Sequence, residues 1–370
     1  MLKRLLTAHR GDPGYDHRVI SLRGLGALGE ELRGLGVQVE CMGLKSLANA
    51  PLALWRLVRR IRAIDPDIVQ TWMYHSDLIG GLSARLAGKR NLLWGVRVAD
   101  LSPDMGVPRS TILIRRLCAR LSGIVPARIV YVAEAARLVH ERLGYAGGKS
   151  VVIQNGYDIP PTATVEALRG RRQSLGLTPD CVLIGTAGRY SPQKGYQGFV
   201  GAAGRVAARH PDAHFLIIGR GVGWENEELA GWVRETGAAD RFHLLPEQQD
   251  VREWLAAMDI FALNSLMEGF PNIVAEAMSV GVPCIVTDVG DAALLVDDTG
   301  IVIEPRDEEG LTQAMLRLVS EGKPERSRLG ALARERVSRK FSIESIVGRY
   351  EELFDGFAPA RTERASSSAA

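Results

Sequence analysis

The sequence has few cysteines and no long apolar run, and each shortage excludes a class of protein. Its four cysteines, at positions 41, 118, 181 and 284 of 370, show neither metal-binding nor redox spacing. We therefore expect small core side chains in a reducing compartment, and neither a disulfide-bonded nor a zinc-bound fold. No apolar stretch approaches the ~20 residues that cross a bilayer. With 46% hydrophobic and 24% charged residues, the composition is typical of a globular protein.

The net charge is also low, at +3, but it is unevenly distributed. Residues 1–157 carry 23 Lys and Arg against 12 Asp and Glu, whereas residues 158–370 carry 23 against 31. In the first half, residues 51–62 and 109–120 have the pattern of basic amphipathic helices. Such helices usually pack on a sheet and leave their arginines in water. The alternative is attachment of the first half to an anionic membrane surface.

Apolar strands alternate with amphipathic helices through most of the chain, which is the pattern of parallel sheets covered on both faces. The length suits two domains, and the turn-rich run at 155–161 interrupts the pattern between them. We predict an α/β fold with two Rossmann-like, doubly wound domains at 1–157 and 158–340. A terminal helix at 341–357 should pack back on the first domain, and the Ala/Ser-rich tail at 358–370 should be disordered.

The most informative stretch runs from Asn264 to Met278 and reads NSLMEGFPNIVAEAM. It follows a buried strand, turns through Gly269 and enters a helix with Pro271 at the predicted first position. A helix start reached through glycine offers backbone N–H groups and a positive dipole end to an anion. Glu268 and Glu276 bracket that site and would repel a phosphate unless they bind neutral hydroxyls. The combination favours a ligand that is part phosphate and part polyol, such as a nucleotide sugar.

This stretch resembles the Glu-x7-Glu signature of the retaining family 4 glycosyltransferases, which have two Rossmann-like domains facing a cleft, the GT-B fold. The likeness spans about fifteen positions in one register. It implies that Glu276 binds the ribose and Glu268 the donor sugar, with Gly269, Phe270 and Asn272 also in the donor site. It further implies retention of anomeric configuration and no metal.

A second loop, GRYSPQKG at 188–195, follows a predicted strand, and parallel sheets bind ligands at the carboxyl ends of their strands. Two cations in a glycine-bounded loop can neutralise a diphosphate without a metal. The loop is similar to a diphosphate-binding segment of the same family, which implies that role for Arg189 and Lys194 and places Gly188 at the site. Gly219 and Leu245 follow the next two strands and resemble further donor-binding positions. Pro246 stands where the family often has glycine, which puts base contacts there in doubt.

The first half offers weaker candidates. His75 follows a predicted strand and begins a helix, where it is either a surface residue or an acceptor-side group. Many family members have a His-Asp pair after the strand at 91–95, but this sequence has Arg97 and Asp100 near that place. A dinucleotide pattern, Gly24 to Gly29, has Glu40 as its possible ribose ligand, but the spacing is shorter than the roughly 20 residues expected.

We therefore expect a retaining glycosyltransferase that moves a sugar from a nucleotide-sugar donor, UDP- or GDP-linked, to a saccharide or lipid-linked acceptor in cell-surface polysaccharide biosynthesis. No cofactor, metal or nucleic-acid partner is expected. The expected location is the cytoplasm, with the inner face of the cytoplasmic membrane as a peripheral site. Two alternatives remain: a nucleotide-sugar epimerase of the same fold, and a non-catalytic nucleotide-sugar-binding protein.

One further expectation concerns the first domain. Family members usually open with a strand and a glycine loop before the helix that Met1 to Leu6 resembles. The missing strand would lie between the strands near 18–21 and 68–71. We therefore expect an interrupted sheet there, and either a reading frame that begins upstream or a poorly stable first domain.

Overall fold

The computed structural model describes residues 1–44, 50–99 and 107–357, and these form two compact units. The first unit comprises Met1–Gly156 together with the segment from Ile343 onward. The second unit comprises Tyr157–Ser342. The chain therefore passes between the units twice, at residues 156–157 and at residues 342–343.

The first unit alternates strands and helices along its length. Its elements are α1 (Leu2–Ala8), β1 (Arg18–Ser21), α2 (Gly26–Gly34), β2 (Gln38–Cys41), α3 (Ala50–Ile64), β3 (Val69–Gln70), α4 (Tyr74–Leu86), β4 (Leu92–Val96), α5 (Arg109–Leu121), β5 (Arg128–Tyr131), α6 (Glu134–Arg142) and β6 (Ser150–Val152). The final helix of the described chain, called α15 here, spans Ile343–Asp355 and belongs to this unit.

The described strands of the first unit form two separate parallel sheets. One pairs β1 with β2, and the other has the order β3-β4-β5-β6. All five residues of β4 are buried, as a central strand covered on both faces requires. Helix α15 packs its apolar side on this sheet, where Tyr350 and Phe354 join Leu93 and Val130 in one buried cluster. The described strands of the first unit are thus divided between two sheets, with β1 and β3 in different ones.

The second unit continues the alternation. Its elements are α7 (Val165–Ser174), β7 (Val182–Ala187), α8 (Tyr196–Arg209), β8 (Ala213–Ile218), α9 (Glu227–Glu235), β9 (Phe242–Leu245), α10 (Val251–Ala257), β10 (Ile260–Leu263), α11 (Asn272–Ser279), β11 (Cys284–Thr287), α12 (Ala292–Val296), β12 (Ile301–Ile303), α13 (Glu308–Ser320) and α14 (Gly322–Phe341).

The strands of the second unit form one parallel sheet in the order β12-β11-β10-β7-β8-β9. Its core joins the apolar face of α8, including Phe199 and Val206, to Phe215 and Ile217 of β8. Side-chain caps fix several helix starts on its faces. The Asn226 side chain accepts from the N–H of Leu229 at α9, and Asp307 accepts from Gly310 at α13. The order reverses direction between β10 and β7, as in doubly wound folds.

The structure differs from the sequence expectations in small ways. Helix α11 begins at Asn272, so Pro271 precedes the helix as its cap and is not its first residue. Cys118 and Cys284 are buried as expected, but Cys181 is only half-buried, and Cys41 is exposed at the end of an edge strand. Helices α7 and α12 were not anticipated. The tail at 358–370 lies outside the described residues.

Candidate active site

The candidate site lies at the carboxyl edge of the second unit's sheet, where strand order reverses. Strands β7 and β10 are neighbours there and run parallel to each other. The loops that follow them leave in opposite directions, which opens a crevice outside the strand ends. Those two loops are the glycine-bounded loop at 188–195 and the segment that begins at Asn264. The fold thus brings together two motifs that are about seventy residues apart in sequence.

The loop after β7 is held to the segment after β10 by close backbone approach. Gly195 has a left-handed φ of +61° and packs so tightly that a Cβ would overlap the Asn264 carbonyl oxygen. Asn264 Nδ2 donates to the Gly195 carbonyl at 2.9 Å, and the N–H of Leu266 donates to the Gln193 carbonyl at 2.7 Å. These bonds fix the two motifs against each other.

A cation and a carboxylate meet across the two loops. Lys194 Nζ lies 2.6 Å from Glu268 Oε1, and Ser265 Oγ donates to the same oxygen at 2.7 Å. Both charged side chains are largely buried, with 24% of Lys194 and 15% of Glu268 exposed, so solvent screens the pair only partly. Burial and the nearby Glu268 charge both raise the pKa of Tyr196, whose hydroxyl donates to the Gly188 carbonyl. The two charged residues that the sequence assigns to the diphosphate and to the donor sugar are therefore adjacent.

Helix α11 presents the remaining residues of the signature. Phe270 is buried, Asn272 is exposed at the first helical position, and Glu276 is half-buried one turn further along. Gly290, at φ +60°, approaches this segment so closely that a Cβ would overlap the carbonyl oxygens of Glu268 and Gly269. The Asp291 N–H donates to the Gly269 carbonyl at 2.9 Å. The turn before α11 is thus held by backbone contacts on its outer side.

The neighbouring loops complete the edge. Gly219 follows β8 and lies so close to the Gly188 carbonyl oxygen that a Cβ at position 219 would overlap it. The Gly219 N–H donates to the Leu245 carbonyl at 3.0 Å. Gly188, Gly219 and Leu245 therefore lie side by side, as the sequence predicts from their places after adjacent strands. Pro246 is exposed and has no N–H to offer.

Arg189 is exposed at the same edge. The next residue, Tyr190, anchors its backbone: the Tyr190 N–H donates to the Arg220 carbonyl at 2.8 Å and its hydroxyl to Glu228 at 2.6 Å. Its ring stacks on Tyr196 at 5.8 Å. Tyr190 and Ser265 both lie inside the motifs at 188–195 and 264–278, but nothing in the sequence indicated their contacts.

In the first unit, the acceptor-side candidates lie beyond β3 and β4. His75 is exposed in the first turn of α4, where partial burial and then Arg23 lower its pKa. Arg97 donates to Asn155 Oδ1 and lies 3.4 Å from the Tyr350 hydroxyl and 5.4 Å from the centre of the Trp72 ring. Asp100 lies outside the described residues. His75 thus lies near Arg23, whereas the contacts of Arg97 described here are with Asn155, Tyr350 and Trp72.

The turn that leads to His75 is strained. Met73 has a φ of +73° and a ψ of 157°, a backbone conformation that residues other than glycine rarely adopt. Its N–H donates to the Gly95 carbonyl at 2.8 Å. Asp77 is fully buried and accepts a hydrogen bond from Thr71 Oγ1 at 2.6 Å. Burial raises the pKa of its carboxyl group to about 7, although the hydrogen bonds from Thr71 and Gly95 act to lower that pKa. The sequence gave no signal for this buried acid.

The dinucleotide pattern at 24–29 does not lead to a ribose ligand. The Glu40 carboxylate accepts from Arg60 Nε at 2.7 Å, in a two-point ion pair between β2 and α3. An acid already bound to guanidinium is poorly suited to bind a ribose diol.

The outer surface of α3, α4 and α5 forms what we call the basic-apolar face. Helix α4 packs against both α3 and α5. The connections β3-α4-β4 and β4-α5-β5 advance the same way across the sheet, so these helices share one side of it. Large apolar side chains are exposed along this face, from 50% to 72%, and the helices α3 and α5 contain no acidic residue. The apolar members are Leu52, Trp55, Leu86, Leu113 and Ile124, and the exposed cations are Arg56, Arg59, Arg62, Arg109, Arg116 and Arg120.

The described ranges contain neither a bilayer-spanning helix nor a cluster of metal-ligand side chains. None of the helices in them combines the length and apolar character that a bilayer span requires. Over the same ranges, no three His, Cys, Asp or Glu side chains are grouped closely enough to hold a metal ion.

Family models match most of the chain. A model described as Glycosyltransferase Family 4 matches residues 4–159, and one described as Glycosyl transferases group 1 matches residues 181–321. The two matches fall in the two structural units, and the second contains the loops at 188–195 and 264–276.

Similar proteins include two curated relatives and one solved structure. The lipopolysaccharide core biosynthesis mannosyltransferase LpsB of Rhizobium meliloti is 31% identical over 224 residues, which cover 56% of this chain and 62% of LpsB. The UDP-Gal:alpha-D-GlcNAc-diphosphoundecaprenol alpha-1,3-galactosyltransferase of Escherichia coli is 25% identical over 333 residues. The aligned region covers 88% of this chain and 84% of the galactosyltransferase. Anabaena HepE, solved in complex with UDP and glucose, superposes with a TM-score of 0.80 at 20% identity, covering 96% of this chain and 95% of HepE.

Proposed function

This chain belongs to the family 4 glycosyltransferases and has the GT-B fold, and from that premise we propose that its second unit binds the nucleotide-sugar donor. The observation that carries the proposal is the contact of Lys194 with Glu268 at the strand-order reversal. A cation suited to a diphosphate and an acceptor suited to sugar hydroxyls are there within one hydrogen bond of each other. A nucleotide sugar has both groups on adjacent atoms of one molecule.

We assign the residue roles accordingly. Glu276 accepts from the ribose hydroxyls, and Glu268 accepts from hydroxyls of the transferred sugar. Arg189 and Lys194 bind the diphosphate, with Gly188, Gly219 and Gly269 allowing the donor to approach the backbone. Phe270, Asn272 and Leu245 form the remaining wall.

The proposed reaction replaces one bond at the anomeric carbon with another on the same face. The bond from that carbon to the diphosphate oxygen breaks, and the acceptor hydroxyl oxygen bonds to the carbon. The hydroxyl proton passes to the departing phosphate oxygen, since none of the candidate residues is a convincing enzymic nucleophile. Negative charge grows on the diphosphate, where the preorganised Arg189 and Lys194 stabilise it, so the reaction needs no metal.

The acceptor is proposed from the relatives' names. LpsB is named for lipopolysaccharide core biosynthesis, and the Escherichia coli relative is named for a diphosphoundecaprenol acceptor. We propose a saccharide or lipid-linked saccharide acceptor in cell-surface polysaccharide assembly, with UDP- or GDP-sugar as donor. His75 and Arg97 are the acceptor-side candidates. These named relatives are transferases, which does not favour an epimerase or a non-catalytic binding protein.

We propose that a lipid-linked acceptor is bound at the cytoplasmic surface of a membrane. The basic-apolar face of the first unit is suited to contact a membrane surface that is anionic. Exposed Trp55 and Leu113 can enter the headgroup region while the surrounding arginines contact anionic lipid. Arg59 lies 4.8 Å from the centre of the Trp55 ring, so cation and anchor are adjacent. Each basic residue near such a surface adds about 1 kcal/mol.

The test is incubation with a panel of UDP-, GDP- and ADP-sugars, with and without lipid extract, while nucleoside diphosphate release is followed. A transferase releases nucleotide in proportion to acceptor and produces a glycosylated lipid. Without acceptor, conversion of the donor into another nucleotide sugar identifies an epimerase, and release of nucleoside diphosphate with free sugar identifies a hydrolase. Donor binding with no turnover under either condition identifies a binding protein.

A further inference from the structure

Tyr157, the first residue of the second unit, is built into the wall of the donor site. Its side chain is only 1% exposed, and its hydroxyl donates to Asn272 Oδ1 at the first position of α11. Its ring stacks on Phe270, with centroids 6.3 Å apart and planes 19° apart. Phe270 and Asn272 both lie between the two glutamates of the signature. No motif in the sequence pointed to Tyr157.

The backbone holds Tyr157 as firmly as its side chain does. Its N–H donates to the Phe341 carbonyl at 2.8 Å, and it forms a parallel bridge with Ser342. The Phe341 ring in turn lies 5.6 Å from Phe270. Both chain segments that leave the second unit are therefore fixed here, which holds the Tyr157 side chain in place beside Asn272.

This hydroxyl donates to the oxygen side of the Asn272 amide. An asparagine side chain has an acceptor on one side of its plane and a two-proton donor on the other. When Oδ1 accepts from Tyr157, the Nδ2 group is directed to the opposite side, away from the buried ring. Asn272 is exposed there at the start of an eight-residue helix, where the dipole also favours an anion. The reverse orientation would present an oxygen to that anion.

We propose that Tyr157 is a positioning residue for donor binding: through its hydroxyl it holds the Asn272 amide so that Nδ2 donates to a phosphate oxygen of the nucleoside diphosphate. The inference rests on the proposed function for the identity of the ligand. It adds a residue outside the family signature. Packing alone does not require the hydroxyl, because phenylalanine would fill the same space against Phe270.

The test is a double-mutant cycle on nucleoside diphosphate affinity. Wild type, Tyr157→Phe, Asn272→Ala and the double variant are titrated by calorimetry with UDP and, separately, with GDP. Tyr157→Phe should weaken binding about fivefold, as expected for loss of one hydrogen bond that orients a ligand contact. Asn272→Ala should weaken it at least as much. In the Asn272→Ala background, adding Tyr157→Phe should change affinity less than twofold, because the group it orients is gone.

Tyr145→Phe is the matched control. Tyr145 is also buried, and its hydroxyl donates to the Arg115 carbonyl at 3.2 Å in the first unit. The Tyr145→Phe variant should have a lower melting temperature but an unchanged affinity for the nucleoside diphosphate. Equal losses from Tyr157→Phe in both backgrounds would overturn the proposal, because they would indicate a general effect on stability. So would wild-type affinity in Tyr157→Phe. A wild type that binds neither UDP nor GDP would instead overturn the donor site itself.

Discussion

The two units share an alternating α/β construction, but they organise the carboxyl edges of their sheets differently. In the second unit one continuous sheet of six strands brings the loops after β7 and β10 together, and direct bonds join them. In the first unit the described strands form a sheet of two and a sheet of four, and the candidates His75 and Arg97 have separate partners. The groups that we propose bind the donor are thus concentrated at one preorganised edge. The first unit is distinguished by its basic outer surface.

The largest expected effect on activity comes from Lys194→Ala. Removing a preorganised cation that faces the departing diphosphate should cost ~2–4 kcal/mol of transition-state stabilisation. It also leaves the largely buried Glu268 without its ion-pair partner. The measurement is kcat/KM with saturating acceptor in the presence of EDTA. Wild-type activity should survive EDTA, and a strict Mg²⁺ or Mn²⁺ requirement would contradict the account.

Lys89→Ala is the control for that variant in the other unit. Lys89 also pairs with a carboxylate, that of Asp65, and it belongs to the first unit and not to the proposed donor site. Its removal should leave kcat/KM unchanged. A loss equal to that of Lys194→Ala would show that the charge effect is general and does not belong to the second unit's edge.

The next largest effect concerns the basic-apolar face. Replacing Arg56, Arg59 and Arg116 with glutamate should reduce binding to phosphatidylglycerol vesicles by ~3 kcal/mol or more, at about 1 kcal/mol for each lost cation. Flotation with anionic and with pure phosphatidylcholine vesicles measures it. Diphosphate affinity should not change. The matched control reverses three exposed arginines of the second unit, Arg169, Arg209 and Arg234. Equal loss from both triple variants would remove the special role of the first unit.

A smaller effect separates the two glutamates. Glu276→Ala should weaken binding of free nucleoside diphosphate about tenfold, because that product retains the ribose, as for loss of a charge-assisted hydrogen bond. Glu268→Ala should hardly affect that product but should lower turnover of the intact donor. Calorimetry with the diphosphate and initial rates with the donor measure the two effects. If both variants bound the diphosphate as wild type does, the assigned roles would be wrong.

The smallest expected effect on activity is that of Asp77→Asn in the first unit. The folded-state pKa of Asp77, about 7, lies above its ordinary value of 3.8. Its contribution to stability is therefore complete below about pH 4 and is lost as the pH rises through about 7. The melting temperature of wild type should fall relative to that of Asp77→Asn between pH 4 and pH 8. Parallel curves would show that Asp77 does not ionise in this range.

The sequence predicted which loops of the second unit meet at the carboxyl edge of its sheet, for a physical reason. Strand alternation predicts parallel sheets, and parallel strands place all their following loops at one edge, so Arg189, Lys194 and Glu268 could be grouped before any coordinates. Contacts made by residues outside a motif were not predictable. Tyr157 contacts Asn272 across 115 positions, and nothing in its local sequence indicates that partner.

The first unit was harder to predict because its features depend on packing. The patterns at 51–62 and 109–120 predicted amphipathic helices, but not that Leu86 of α4 and Ile124 would extend the same exposed face. The buried Asp77 and the strained Met73 arise where β3 and β4 end side by side. No periodicity in the sequence indicates which side chains meet where two strands end.

Hydrogen exchange with and without saturating UDP or GDP tests the central claim most directly, because it reports on both units in one experiment. The account predicts protection of backbone amides in the loops at 188–195 and 219–221 and in the segment at 264–276. The strands β3 to β6 of the first unit should exchange as in the free protein. Protection confined to residues 1–156, or none at 264–276 under conditions where calorimetry shows binding, would contradict it.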